Sequence, residues 1–207
     1  MEQQVETQEV GFLDKVYSFV INGIPKVDKP ILQVVNEYLS RYHDSEKAIK
    51  EFIRVQKIKC STTGFVTGLG GFLTLPVTIP ADLASSLYIE MRMIAAVASM
   101  RGYNVTDDKV KTLVYTCMVG NAAGDLVKQA GIKTGNQLAA KKLLPKITGE
   151  MITKINQKVG FRLITKGGTK GIINLGKAIP IIGGIVGGTY NWAEVGIYAK
   201  RAKEFFD

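Results

Sequence analysis

Residues 80–101 read PADLASSLYIEMRMIAAVASMR, and only four of these side chains are charged. They are Asp82, Glu90, Arg92 and Arg101. A helix with this sequence is apolar on nearly every side, which predicts a helix that is either central and buried or in contact with lipid. We expect it to begin near Pro80, because Asp82 then lies in the first turn, where a carboxylate interacts favourably with the helix dipole.

The preceding stretch, residues 61–81, reads STTGFVTGLGGFLTLPVTIPA and carries no charge. Its length would suffice to cross a bilayer. Its four glycines and two prolines disfavour one straight helix, so we expect a helix to about Leu73 and a break at Leu75-Pro76. Whether this stretch lies in lipid or in the protein core stays open.

The flanking sequence also predicts helices. We expect one over residues 29–43 with Asp28 as its N-cap, and a second over residues 45–60. Thr106 is expected to cap a third that continues to about Ala130. Residues 1–44 are interpreted as an N-terminal lead with one helix, followed by a helical domain over residues 45–207.

Pairs of glycines four residues apart recur through the chain. This spacing lets two helix backbones approach closely, so these glycines are expected at helix–helix contacts. The pairs are Gly64 and Gly68, Gly120 and Gly124, Gly183 and Gly187, and Gly184 and Gly188. The predicted fold is therefore all-α, a compact bundle of helical hairpins with a Gly-rich centre.

The net charge of +9 is concentrated in the C-terminal part of the chain. Residues 1–60 hold nine basic and nine acidic side chains, and residues 61–127 hold four and five. Residues 128–207 hold fourteen basic and only four acidic side chains. A one-sided basic field of this kind attracts phosphate groups, either of lipids or of nucleic acids.

Within that basic part, residues 138–166 form a basic amphipathic stretch in which two series advance by four residues. The polar series consists of Lys142, Lys146, Glu150, Lys154, Lys158, Arg162 and Lys166. The apolar series consists of Leu143, Ile147, Met151, Ile155, Val159 and Leu163. Because residues four apart share a helix face, we expect the six cations on an exposed face and the apolar series turned inward. Pro145 and Gly149 are expected to break or bend the start of this stretch.

Cysteine and histidine counts exclude several kinds of site. Two cysteines, Cys60 and Cys117, do not make a disulfide-stapled scaffold, and His43 is the single histidine. A zinc site of four cysteines, of two cysteines with two histidines, or of three histidines is therefore excluded within one chain. His43 is expected at a helix end rather than in a catalytic site. We expect neither a metal site nor a cofactor.

Several stretches resemble the EcsC family of bacterial proteins. They are GFVTGLGGFLTLPVTIPADL at 64–83, the Glu90-Met91-Arg92 helix, RGYNVTDDKVKTLVYTCMVGNAAGD at 101–125, and AIPIIGGIVGGTYNW at 178–192. The resemblance covers roughly residues 45–207 and implies an all-helical domain, with a variable lead over residues 1–44. It also implies a link to membranes, since the family is named after a protein encoded beside an ABC transporter. It implies no catalytic motif.

Glu90 is the candidate for acid–base chemistry, because a carboxylate in an apolar helix is costly to bury unless it is paired or protonated. The alternative is a structural ion pair with a cation of another helix, such as Lys177 or Arg101. Two glycine clusters, GLGG at 68–71 and GGIVGG at 183–188, lack the Gly-Lys-Ser/Thr of a P-loop. Nucleotide binding is therefore not expected.

Three functions stay open. The first is a non-enzymatic, membrane-associated accessory protein, cytoplasmic or at the inner face of the cell membrane, with the basic face on anionic lipid and the apolar Gly-Pro hairpins in membrane or partner contact. The second is a soluble module that binds an unidentified protein partner in stress, interbacterial competition or phage defence. The third is a hydrolase that uses Glu90. Nucleic acid is not an expected partner, because no helix-turn-helix, zinc finger or RNP motif accompanies the basic stretch.

Overall fold

The computed structural model describes residues 2–60, 81–133, 138–166 and 186–207. In the described residues the α-helices are α1 Glu2–Asn22, α2 Ile31–Tyr42, α3 Ser45–Cys60, α4 Ala81–Met100, α5 Asp108–Met118, α6 Ala123–Gln129, α7 Ala140–Leu143, α8 Gly149–Lys166 and α9 Val186–Phe205. Two 3-10 turns, Gly120–Ala122 and Leu144–Lys146, lie between them. The described residues form no strand and only one isolated bridge, between Ile24 and Asp28. The all-α prediction is confirmed.

Helix α4 is the centre of the bundle. It packs against α1, α2, α3, α5 and α9. Nearly every side chain from Ala84 to Met100 is buried, with only Ser86, Ile89 and Ser99 partly accessible. The apolar surface that the sequence predicts on all sides of this helix is therefore covered by other helices of the same chain.

The N-terminal lead contains two helices, so the prediction of one helix in residues 1–44 is wrong. Helix α1 precedes α2 and packs against α4 and α8. Its buried side chains recur at helical spacing and include Leu13, Val16 and Val20. Because these side chains belong to the main apolar core, the lead is part of the bundle rather than an appendage to it.

Two helices begin differently from the sequence prediction. Helix α2 starts at Ile31 after Pro30, which makes no side-chain cap, and the Asp28 side chain instead turns into the core. At α5 the cap is Asp107, whose Oδ1 accepts hydrogen bonds from the backbone N–H groups of Lys109 and Val110 at 2.8 and 3.3 Å. Thr106 donates its hydroxyl to Asn104 Oδ1, so its side chain is engaged before the helix begins.

The helix predicted to reach Ala130 is interrupted at Gly120. Helix α5 ends at Met118, and Gly120 has a left-handed backbone with φ of 59°. Arg201 packs against this turn and donates from Nη1 to the free carbonyl of Met118 at 3.1 Å. A Cβ on Gly120 would lie 2.6 Å from Arg201 Cζ, whereas one on Gly124 would meet nothing within 4 Å in the described part of the chain. Gly120 is thus a turn glycine packed on a side chain, and the described residues make no close contact of the predicted kind at Gly124.

Several sequence predictions lie outside the described residues. These are the break at Leu75-Pro76, the Gly-rich centre, and the glycines Gly64, Gly68, Gly183 and Gly184. Gly187 and Gly188 lie in the first turn of α9, but their packing is not described. His43 lies at the C-terminal end of α2 with φ of 51° and is exposed, as expected for a helix-end residue.

Candidate functional site

The basic series lies on two helices and on the 3-10 turn between them, with the break near the start of the stretch that Pro145 predicts. Lys142 lies in α7, Lys146 in the 3-10 turn that follows, and Lys154 in α8, and all three are exposed. Lys158 and Arg162 are half-buried in α8. The interruption follows from Pro145 and from the extended backbone of Ile147 (φ −75°, ψ 120°). Lys166 ends α8, and its side chain lies outside the described part.

The apolar series faces the core of the bundle. Leu143, Ile147, Ile155 and Val159 are buried, and Met151 and Leu163 are half-buried. Helix α8 uses this side to pack against α1, α5 and α6. The four-residue spacing agrees with the burial of Leu143, Ile147, Ile155 and Val159 and with the exposure of Lys142, Lys146 and Lys154, whereas Lys158 and Arg162 are not fully exposed.

Two hydrogen bonds connect the cations of α8 and the 3-10 turn with α6 and the loop after it. Lys158 Nζ donates to Gln129 Oε1 at 2.8 Å, and Lys146 Nζ donates to the Lys133 carbonyl at 3.1 Å. We use the term basic surface for the cations of the described residues between 128 and 162, which lie on α6, α7, α8 and the segments that join them. They are Lys128, Lys133, Lys141, Lys142, Lys146, Lys154, Lys158 and Arg162.

Carboxylates scarcely compensate the basic surface. Between residues 128 and 162 the sequence contains a single acidic residue, Glu150. Within the described ranges, none of the eight cations lies within 4.0 Å of a carboxylate oxygen. Phe161, three residues after Lys158 on α8, is 48% exposed. The surface thus combines uncompensated positive charge with a partly accessible aromatic ring.

The second group of candidate residues lies on α4. Glu90 is only 7% exposed, as the sequence predicts for a carboxylate on this helix. Its proposed partner Arg101 forms ion pairs with Glu46 and with Asp207, and Lys177 lies outside the described residues. Buried Met91, Met93 and Ile94 adjoin Glu90 along the helix.

The buried charge that sequence reasoning missed is Arg92. Its side chain is 2% exposed, and its Nε lies 2.8 Å from Oδ2 of Asp28, which is 3% exposed. Arg92 Nη2 donates to the Lys29 carbonyl at 2.8 Å, and the Tyr88 hydroxyl donates to Asp28 Oδ2 at 3.4 Å. A buried arginine requires a carboxylate partner, so the apolar surroundings of Arg92 in the sequence were the signal. These apolar neighbours do not indicate which carboxylate forms the ion pair with Arg92.

The chemistry available to α4 and α5 is limited. Burial raises the pKa of the Cys117 thiol to about 12, so the thiol is protonated and a poor nucleophile at neutral pH. No three His, Cys, Asp or Glu side chains of the described residues approach one another as a metal site would require. The contacts of Arg92 with Asp28 and with the Lys29 carbonyl form a buried ion network that joins α4 to the loop after α1.

No helix in the described part of the chain has the length and apolar content needed to cross a bilayer. Comparison with known proteins gives one positive result, because the family profile described as the EcsC protein family matches residues 42–207. No curated protein and no solved structure matches the chain.

Proposed function

The chain belongs to the EcsC protein family, and we propose that it is a non-enzymatic accessory protein whose basic surface binds anionic membrane. In this proposal it acts at the inner face of the cell membrane as a peripheral protein. The observation that carries the proposal is the basic surface itself, with eight cations and one acidic residue in the same part of the chain.

The charge on this surface is of the size that membrane binding requires. Each Lys or Arg near an anionic leaflet contributes about 1 kcal/mol of attraction. Lys142 and Lys154 are exposed and form no ion pair with described residues, so approach to a membrane breaks no ion pair there. Phe161 adds an aromatic side chain of the kind that lies at the boundary between headgroups and acyl chains.

The same surface is a poor match for single-stranded nucleic acid. Proteins that bind single strands stack successive bases on several aromatic side chains. Between Tyr115 and Tyr190 the sequence contains only one aromatic residue, Phe161. Anionic lipid requires no such stacking platform, so it is the partner we favour.

The proposal is tested by flotation with vesicles of phosphatidylglycerol and of phosphatidylcholine. We expect binding to the anionic vesicles, little binding to the neutral ones, and weaker binding as salt shortens the Debye length from about 8 Å at physiological ionic strength. Changing Lys142 and Lys154 together to Glu should weaken binding to phosphatidylglycerol by roughly 30-fold or more, the equivalent of losing two contributions of about 1 kcal/mol.

A matched control distinguishes the effect of the basic surface on vesicle binding from the effect of the net charge of the chain. Lys47 and Lys50 of α3 are also exposed, so Lys47→Glu with Lys50→Glu changes the net charge by the same amount away from the basic surface. The control pair should retain most of the binding. Equal losses in both pairs would show that net charge, not this surface, governs the attraction.

The other outcomes point to different functions. Equal binding to neutral vesicles would favour the apolar stretch at residues 61–81 as the membrane contact. Binding to neither kind of vesicle would contradict the proposal and favour the module that binds a protein partner.

A further inference from the structure

A cleft of about 520 Å³ opens between α2, α3 and the loop that joins α1 to α2. The loop contributes Lys26 and Asp28, α2 contributes Glu37 and Arg41, and α3 contributes Lys59. None of these five residues belongs to the basic surface, so the cleft is a separate feature of the fold.

Positive charge exceeds negative charge in this cleft. Four cations line it, namely Lys26, Lys29, Arg41 and Lys59, together with two carboxylates, Asp28 and Glu37. Both carboxylates have partners in the protein, because Asp28 contacts Arg92 at 2.8 Å and Glu37 contacts Lys29 at 2.7 Å. With Arg92 counted behind Asp28, five cations face two carboxylates.

The two carboxylates do not cancel this excess. Hydrogen bonds from Lys29 and Gln33 lower the pKa of Glu37, so it is ionised at neutral pH and already engaged. The Asp28 side chain is almost completely buried, and Lys59 Nζ lies 3.6 Å from its other oxygen. The remaining positive charge, centred on Lys26 and Arg41, faces the open volume.

The backbone that presents Lys26 is unusual. Lys26 has a left-handed conformation with φ of 67°, which is costly for a residue with a side chain. The Ile24–Asp28 bridge and the contact of Arg92 with Asp28 hold the loop in this shape. Non-glycine residues in strained backbone are concentrated at functional sites, and here the strain places a cation at the mouth of a basic cleft.

We propose that this cleft binds a phosphate monoester. Such a group carries about −1.5 to −2 charges at pH 7 and three strong acceptor oxygens. Its charge suits the excess in the cleft, and the Arg41 guanidinium offers the planar pair of donors that binds phosphate with two hydrogen bonds. The phosphate belongs either to a small phosphorylated metabolite or to a lipid headgroup such as that of phosphatidic acid.

The test uses inorganic phosphate and glycerol 3-phosphate, with ionic strength held constant by sodium chloride. Both should raise the melting temperature of the wild-type chain, because a ligand that binds only the folded state stabilises it by RT ln(1 + [L]/Kd). Calorimetric titration with glycerol 3-phosphate then gives Kd directly.

Two variants remove the positive charge without removing the buried network. Lys26→Gly suits the left-handed backbone, so it should fold at least as stably as the wild type. Arg41→Gln removes the exposed guanidinium. Each should weaken Kd for glycerol 3-phosphate about tenfold or more, the effect of losing a hydrogen bond to a charged group. Lys50→Gln, an exposed lysine of α3 outside the cleft, should leave Kd unchanged.

A vesicle experiment identifies the source of the phosphate. If a lipid headgroup is the ligand, the wild type binds vesicles with phosphatidic acid more tightly than phosphatidylglycerol vesicles of equal charge, and Lys26→Gly removes that preference. If a metabolite is the ligand, glycerol 3-phosphate binds and the two vesicles bind alike.

The result that overturns the proposal is the absence of any response to inorganic phosphate, glycerol 3-phosphate and phosphatidic acid, or an equal Kd in Lys26→Gly, Arg41→Gln and Lys50→Gln. This outcome is distinct from a failure of membrane binding through the basic surface. That function is tested by Lys142→Glu with Lys154→Glu on phosphatidylglycerol, to which the cleft makes no required contribution.

Discussion

Arg92 brings a positive charge into the centre of a helix bundle, where desolvation makes an unpaired charge very costly. The structure compensates it with the Asp28 carboxylate and with two backbone carbonyls, those of Val20 and Lys29. These three acceptors belong to the end of α1 and to the loop that follows it. One side chain of α4 therefore fixes the position at which the first two helices join the bundle.

Removing either partner of this ion pair should be destabilising. We expect Asp28→Leu to lower the free energy of unfolding by about 3–5 kcal/mol, because it leaves the buried Arg92 charge without a carboxylate. Arg92→Met should also destabilise the fold, but by less, because Asp28 keeps Lys59 Nζ at 3.6 Å and the Tyr88 hydroxyl as partners. The double variant should lose less free energy of unfolding than the sum of the two single variants, since neither buried charge then remains without its partner. Urea denaturation of the four proteins measures the coupling, and strictly additive losses would show that the two charges do not stabilise each other.

At the scale of the helices, the turn between α5 and α6 shows that the backbone conformation of one residue determines where a helix ends and what packs against it. Gly120 has a positive φ and lies against the Arg201 side chain of α9, while a Cβ on Gly124, in the first turn of α6, would meet nothing within 4 Å among the described residues. The spacing of the two glycines is typical of a helix–helix contact, yet within the described ranges a close approach is found at Gly120 and not at Gly124. The physical difference is a change of backbone conformation, which the spacing alone does not encode.

These two glycines should respond oppositely to the same substitution. We expect Gly120→Ala to lower the melting temperature, because a Cβ at φ of 59° costs about 1 kcal/mol and would displace the Arg201 guanidinium. Gly124→Ala should raise stability by roughly 0.4–1 kcal/mol, since alanine restricts the unfolded chain and fits the helix. Thermal unfolding compares the two. A similar fall in melting temperature in both variants would mean that Gly124 is packed as closely as Gly120.

Sequence periodicity predicts the helices with long, consistent apolar patterns better than it predicts their ends. Helix α3 spans Ser45–Cys60 as expected, and α4 begins after Pro80. The ends depend on local competition for hydrogen bonds, as at Asp107, which takes the capping position that Thr106 was expected to fill. The sequence does not predict helix α1, because its apolar residues are recognised as a buried face only once α4 and α8 are seen to pack against them.

The candidate sites also differ in how far the sequence predicts them. The exposure of Lys142 and Lys154 agrees with the polar series in the sequence, but the two lysines lie on separate helices, α7 and α8, so the four-residue spacing does not by itself place them on one face. The contact of Asp28 with Arg92 joins residues far apart in the chain, and no local pattern identifies such a pair. The basic cleft depends on that contact and on two separate helices, so the sequence alone predicts none of it.

At the scale of the whole molecule, three buried tyrosines link α1 and the loop after it to α4, to α5 and to the segment between them. The Tyr17 hydroxyl donates to the Val105 carbonyl at 2.8 Å, Tyr88 donates to Asp28, and Tyr115 donates to Asp14 Oδ1 at 2.9 Å. The rings of Tyr17 and Tyr115 also meet edge to face at 5.6 Å. All three hydroxyls join segments distant in sequence, so their protonation is coupled to the integrity of the bundle.

This coupling predicts cooperative unfolding at alkaline pH. Burial, the main cause in each case, raises the pKa of Tyr17, Tyr88 and Tyr115 well above the ordinary value of 10.0. The folded state thus holds their protons more tightly than the unfolded state. Their contribution to stability is complete below pH 10 and is lost as the pH rises above it, because only the unfolded chain then ionises them readily.

The measurement follows tyrosinate absorbance at 295 nm and helical circular dichroism over the same pH range. The chain has eight tyrosines, and we expect three to ionise only as the helical signal is lost. Tyr115→Phe should reduce that absorbance step by about one third and move the unfolding midpoint to higher pH, since one proton fewer is released on unfolding. Asp14 keeps its contact with Lys111 at 3.2 Å in this variant, so no buried carboxylate is left unpaired. Complete ionisation of all tyrosines before any loss of helix would contradict the link between these hydroxyls and the fold.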